Sequence, residues 1–262
     1  MTRQRSAHPA FTLVEMLLVV AIIVILIGML LPSLGRAKVR DTGCKANLKV
    51  IGDALVLYAF ENSKFPGHLS QGSNIQQIVI WAPRLRKYAG SEKPWYCPSQ
   101  PASFAWVRSF GTSYGGGTPY ASHLDAEWGY EKYEKMISPH TAPSSYGYND
   151  WGCHQMQKNP QRGLGGDIRA YVNAPEVGLR AVRNPVAMMA IMDSTTNGSF
   201  DWNVDPNDPG EYPGKIHDLG ANVVHVDAHV EWIPQAKLVN ISTSTPEGLA
   251  MRAKWNSSNQ SN

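Results

Sequence analysis

Polar and apolar positions divide this chain into three unequal parts. From Met16 to Leu31 there are sixteen residues with no polar side chain, and extending back to Phe11 adds only Thr12 and Glu15 as interruptions. At about 1.5 Å per helical residue, a stretch of this length reaches across a hydrocarbon core of roughly 30 Å. Beyond Pro32, expected to kink the helix, the pattern becomes amphipathic. Leu34, Ala37, Cys44, Leu48, Ile51, Leu55 and Tyr58 recur at three-four spacing, with Asp41 the one polar intruder. Arg36, Lys38, Arg40, Lys45, Lys49 and Asp53 lie off that stripe, and the helix is expected to end near Asn62, before "KFPG".

The pattern after Lys64 is weaker. Ile78, Trp81, Leu85 and Tyr88 fit a helix over "NIQQIVIWAPRLRKYAG", interrupted by Pro83. "KPWYCPS" reads as a loop, and residues 100–185 as long loops with short strands such as "SYGYN". "VAMMAIMD" is an apolar run bounded by turn signals, the mark of a buried strand. "DWNVDPNDPGEYPG" reads as a surface loop. "ANVVHVDAHVEWI" reads as a hairpin turning at Asp227-Ala228, "PEGLAMRAKWN" as a short helix and "SSNQSN" as a frayed tail.

Glu15 is the anomaly. A carboxylate inside an apolar span costs about 2.5–3.5 kcal/mol on insertion scales unless it finds a partner. A secretory signal peptide fits the basic residues Arg3 and Arg5, but the apolar run is long and no A-x-A site follows. An uncleaved anchor leaves Glu15 without a role. The third reading rests on "AFTLVEML". It resembles the leader of type IV pilins and of type II secretion pseudopilins, a small residue followed by Phe-Thr-Leu-Ile/Val-Glu and about twenty apolar residues. The departure is Ala10, where the family prefers Gly. The resemblance extends through "WYCPS", "SYGYN" and a late hairpin to the large pseudopilin-like families of planctomycetes and verrucomicrobia. Their C-terminal signature is His, nine residues, Asp-Gly; His217 and Asp227 match it, and Ala228 stands in place of Gly.

The resemblance implies an α+β fold of pilin type. A long N-terminal helix, membrane-spanning in its first half and amphipathic in its second, packs on a small antiparallel sheet with large loops. The divisions are a leader over 1–10, an assembly helix over 11–33, its amphipathic continuation over 34–62, and a head over 63–262. It also implies cleavage between Ala10 and Phe11 by a prepilin peptidase, N-methylation of Phe11, and a pairing of Glu15 with the new amine of a neighbouring pilin-like subunit. An ammonium and a carboxylate are each costly alone in apolar surroundings and tolerable together. The head is placed outside the cytoplasm, at the bacterial inner membrane, by the leader. Charge alone does not orient the chain, because basic residues flank the span on both sides.

Composition narrows the rest. Charged residues are 17% and the net charge is +3, which is no nucleic-acid footprint. Gly (23) and Pro (18) favour turns and short strands over a bundle, and the eight Trp read as core. Three cysteines allow a Cys44–Cys97 bond, a Cys97–Cys153 bond, or three free thiols. The first is favoured because Cys44 lies on the buried stripe and Cys97 is flanked by aromatic residues. His217, His225, Asp227 and His229 are candidate metal ligands, but a turn at Asp227-Ala228 breaks the alternation that would align them, so no metal is expected there. Asp201, Asn203 and Asp205 occupy the first ligand positions of an EF-hand. Pro206 and Tyr212 replace its Gly and Glu, leaving a different calcium loop, of the kind major pseudopilins use, as the one cofactor to consider. G-x-S-x-G, H-E-x-x-H and the P-loop are absent, and no enzyme is expected. The alternative to a filament subunit is a single-pass surface protein whose Trp-rich head grips a glycan or protein.

Overall fold

The computed structural model of the chain describes residues 12–67, 69–71, 78–106, 108–109, 111, 129–135, 144–152, 162–169, 172–173, 175–195 and 201–261, with the side chains of 29–39, 69–71, 78–79, 167–169 and 172–173 excepted. The chain divides into two units, residues 1–40 and 41–262.

One helix, α1 (Leu13–Asn62), is assigned unbroken through Pro32. In the first unit every described side chain from Thr12 to Gly28 is exposed, including Leu13, Leu17, Ile22 and Leu26. Among the described residues no helix is long and apolar enough to cross a membrane. The expected span over 11–33 extends beyond both ends of the stretch whose side chains are described.

The second unit is built around a five-stranded sheet in the order β7-β3-β6-β8-β9. Its strands are β3 (Tyr146–Asn149), β6 (Met189–Asp193), β7 (Asn203–Val204), β8 (Gly220–His225) and β9 (Val230–Pro234). The sheet is mixed rather than antiparallel, because β7 runs parallel to β3 at its edge. A second, four-stranded sheet, also mixed, joins β1 (Leu69–Gln71), β2 (Ile78–Ile80), β4 (Asp167–Arg169) and β5 (Val172–Asn173) in the order β2-β1-β4-β5.

Cores lie on both faces of the five-stranded sheet. On one face, Cys44, Leu48, Ile51, Leu55 and Tyr58 of α1 are buried with Tyr146, Tyr148, Ile191, Val224 and Val226. Burying each large aliphatic side chain of that stripe stabilises by about 1.5–3 kcal/mol. On the other face, Met189, Met192, Ala221, Val223 and Ile233 pack with Leu238 and Trp255 of two further helices, α3 (Gln235–Leu238) and α4 (Pro246–Trp255). Thr245 caps α4 by accepting from Gly248 N at 3.1 Å, with Pro246 in the first turn.

Four local expectations are corrected. Ile78–Ile80 is strand β2, and the helix α2 (Trp81–Ala89) starts only after it. Pro83 does not interrupt α2, since it falls in the first turn, where a backbone N–H has no intrahelical acceptor. The segment 201–206 is buried, with Asn203 paired to Tyr148 in the sheet; only residues 207–210 stand out as a surface turn. The terminal segment is tied down: Ser257 N donates to Arg162 O at 2.8 Å and Arg252 Nε to Ser261 O at 2.9 Å.

Most of the described tryptophans build core. Trp81 stacks on Tyr148 at 5.4 Å and meets Trp95 and Trp202 at 5.8 and 6.3 Å. Trp151 and Trp255 are buried on the other face, and Trp232 is exposed.

Candidate functional site

The residues singled out by sequence fall into four places. Ala10 and Phe11 lie outside the described residues, as does Cys153. Glu15 has a local partner. Thr12 N donates to Glu15 Oε2 at 2.8 Å, Thr12 Oγ1 donates to the same oxygen at 2.8 Å, and Glu15 N donates to Thr12 Oγ1 at 3.3 Å. This reciprocal arrangement is a capping box, in which residues three apart satisfy the first free donors of a helix. The carboxylate is thereby held at the mouth of α1.

The second place is a polar chain centred on buried His217, running from half-exposed Lys45 and Asp41 to fully buried Asp193. His217 Nδ1 is 3.0 Å from Asp41 Oδ1, and its Nε2 is 3.5 Å from Asp193 Oδ2 and 3.4 Å from Cys97 Sγ. Lys45 Nζ stands 3.1 Å from the other oxygen of Asp41. Asn222 closes the group, its backbone N donating to Asp193 Oδ2 at 2.7 Å and its Nδ2 to Asp41 Oδ1 at 3.4 Å. Charge alternates along the line from lysine to aspartate to histidine to aspartate.

Burial raises Asp41's pKa, but hydrogen bonds from Lys45 and Asn222 and the Lys45 charge outweigh it and hold the carboxyl below its usual range. Burial raises Asp193 above its usual range, incompletely offset by His217. Burial opposes a charge on His217, yet Asp193 and Asp41 together raise its pKa above the ordinary histidine value. Asp41, the intruder on the apolar stripe, is thus there to meet His217. The group ties α1 to β6 and to the approach to β8.

Against this group lies a disulfide between Cys44 and Cys97, with Cα atoms 4.9 Å apart and both residues fully buried. A histidine between two carboxylates has the outline of a catalytic triad. The sulfur it faces is bonded to another sulfur, and His217 is only 6% exposed, so the arrangement acts as a brace. Asp193 and Asn222 were not singled out from the sequence. The charge ending the apolar run "VAMMAIMD" was the available signal for Asp193.

The third place is the β8–β9 hairpin. Its turn differs from the expected two-residue form. Val226, Asp227 and Ala228 make a three-residue loop in which Ala228 N donates to His225 O at 2.8 Å, and only Ala228 has positive φ, at 69°. That is a type I turn followed by a left-handed residue, a position where Gly is favoured. Ala228 instead keeps a buried methyl against α1. A Cβ added at Gly52 would stand 3.2 Å from the Ala228 Cβ. The two-residue turn with both φ values positive lies upstream, at Asp218 (50°) and Leu219 (60°), closed by paired hydrogen bonds between His217 and Gly220. Beside the loop, His225 and His229 stack and Asp227 Oδ1 sits 2.6 Å from His229 Nδ1. His217 is not part of this group; its polar partners are Asp41 and Asp193.

The fourth place is the acidic segment 201–211. Asp205 Oδ1 accepts from Asn207 N at 2.6 Å, and Asp201, Asp205 and Glu211 are buried and engaged.

A model of the prokaryotic N-terminal methylation motif matches residues 5–31. The chain therefore carries a leader of the type IV pilin and pseudopilin kind. The match does not reach the C-terminal signature at His217 and Asp227. Neither the curated proteins nor the solved structures give a match to this chain.

Proposed function

We propose that this chain is a structural pilin-like or pseudopilin subunit. It is cut between Ala10 and Phe11 by a prepilin peptidase, N-methylated on Phe11, held in the bacterial inner membrane by α1 with its second unit outside the cytoplasm, and drawn into a type II secretion-like pseudopilus or type IV-like pilus. The observation that carries this reading is the methylation motif over residues 5–31. Two features support it. The first unit exposes an apolar helix of the kind lipid or neighbouring helices must cover. The disulfide suits an oxidising compartment.

In this reading Glu15 serves twice. In the single subunit it caps α1, satisfying donors that lipid cannot. In the filament the oxygen that Thr12 leaves unbonded receives the methylated amine of the incoming neighbour. A mismatch in register leaves a buried charge unpaired, which makes the pair a selector of assembly geometry.

Mass spectrometry of the mature N-terminus tests the proposal. Methylated Phe11 is the expected first residue. An intact Met1, or cleavage near Gly35, overturns it in favour of an anchored or secreted surface protein.

A further inference from the structure

We propose that the β8–β9 hairpin is a transition-metal site of the zinc class, with His225, His229 and Glu231 as ligands. The inference does not rest on the leader. The three side chains each offer a ligand atom, and these atoms lie within 4.8 Å of one another. The three-residue loop makes this so. It sets His225 and His229 opposite each other, with His225 N donating to His229 O at 3.0 Å, and their rings stack at 4.0 Å and 12°. Glu231, two residues further along β9, shares that face, and its Oε1 is 2.9 Å from His225 Nε2. A two-residue turn at Asp227-Ala228 would have broken this alignment.

The donor set selects the ion. Two imidazoles and a carboxylate suit zinc and its neighbours, whereas calcium and magnesium take oxygen ligands. Asp227 completes the arrangement from behind. Its Oδ1 is 2.6 Å from His229 Nδ1 and accepts from His229 N at 3.1 Å. That contact keeps the ring proton on Nδ1 and leaves Nε2 with its lone pair, as carboxylate partners do for metal-bound histidines. His225 is 1% exposed and its Nε2 faces Glu231 at 2.9 Å, so Nε2 is the atom this ring offers to an ion.

Two features limit the affinity. Ligand nitrogens at 2.0–2.1 Å from a tetrahedral ion lie about 3.4 Å apart, so the group must contract. The side chains of His229 and Glu231 are 40% and 38% exposed, so the contraction falls to them, with Asp227 keeping its hold on His229 Nδ1, while buried His225 stays in place. Lys254 Nζ, 3.3 Å from Glu231 Oε1, competes with the ion until it swings out from α4. Three protein ligands leave a fourth position open toward solvent for water or a donor from another molecule.

The test uses the untagged full-length protein in mild detergent, its disulfide intact, stripped with a chelator and titrated with zinc chloride against a chromophoric competitor. One ion per chain is expected, at micromolar concentration. His229→Gln and Glu231→Gln, both at partly exposed side chains, should each weaken binding at least tenfold without changing the circular dichroism spectrum. Asp227→Asn should weaken it about tenfold through the ring it orients, and Lys254→Ala should tighten it. Cobalt in place of zinc should give the visible bands of a tetrahedral site. No zinc bound by the wild type, or zinc bound equally by the two glutamine variants, overturns the proposal.

Discussion

Replacing Cys44 and Cys97 together by alanine removes the clamp between α1 and the segment after α2. The bond closes a sequence separation of 53 residues. In the chain-entropy account, such a closure stabilises the folded state by about 4 kcal/mol at 25 °C. Both residues are fully buried, so losing the sulfurs also leaves a small void worth about 1 kcal/mol. The double variant avoids leaving a lone thiol 3.4 Å from His217 Nε2. Urea unfolding followed by tryptophan fluorescence is the assay, since Trp81, Trp95 and Trp202 cluster in the core that the bond clamps. With a slope of about 2.5 kcal/mol per molar urea, a loss of 4–5 kcal/mol lowers the midpoint by about 1.5–2 M. A midpoint lowered by less than about 0.3 M refutes the clamp. Because both sulfurs are buried, dithiothreitol added to the native protein should leave the bond intact until urea opens the core.

Glu15→Gln keeps an oxygen able to accept from Thr12 but removes the charge; α1 should still form and insert, while filament yield in cells lacking the wild type falls. Normal yield would assign Glu15 to capping alone. His217 faces Asp41 and Lys45 from α1, Asp193 from β6, and the disulfide, with Tyr146 of β3 close to Asp193. Because its folded pKa is raised, its contribution is fully present below about pH 6.5, the unfolded value, and is lost as pH rises through the folded one. Asp193, also raised, acts in the same sense, below its own unfolded value near 3.9. Stability measured by urea midpoint should therefore decline above pH 6.5, and His217→Gln should cost about 3–5 kcal/mol by stranding Asp193; a cost under about 1 kcal/mol would show that the two are not coupled. Leu219→Gly should stabilise by about 0.5–1 kcal/mol, because an exposed, bulky residue at φ 60° is strained; a loss of melting temperature would show that Leu219 makes contacts that outweigh the strain.

The parts of this fold that were legible in the sequence are those set by local physics. The apolar stripe from Cys44 to Tyr58, the end of α1 at Asn62, the buried run of β6, and the short helix over "PEGLAMRAKW" all follow from period and turn residues. What was not legible depends on partners distant in sequence. A parallel edge strand at Asn203–Val204 pairs with Tyr148 across more than fifty residues, and nothing in "DWNVD" announces it. Ile78 fitted the helical spacing of Trp81 and Leu85, yet Leu69–Gln71 pairs with it as a strand. Asp41 broke the stripe on α1, and only the arrival of His217 explains why the helix tolerates it.

The spacing of His217 and Asp227 now has a physical meaning. The two do not bind a common group. His217 sits where the chain enters β8, held by paired hydrogen bonds to Gly220 and by the carboxylates of Asp41 and Asp193. Asp227 sits in the loop where the chain leaves β8, its Oδ1 fixing the ring and backbone of His229. Between them lies the full length of the strand next to the sheet's edge. Nine intervening residues are therefore a measure of β8 and its two flanking turns. Removing one residue would shift the pleat by one position and exchange the two faces of the strand. Asn222 and Val224, which meet Asp41 and the α1 core, would turn toward α4, and Val223 and His225 would turn toward α1. The brace, the core contact at Gly52 and the His225–His229 stack depend on that one register, so the spacing constrains all three together.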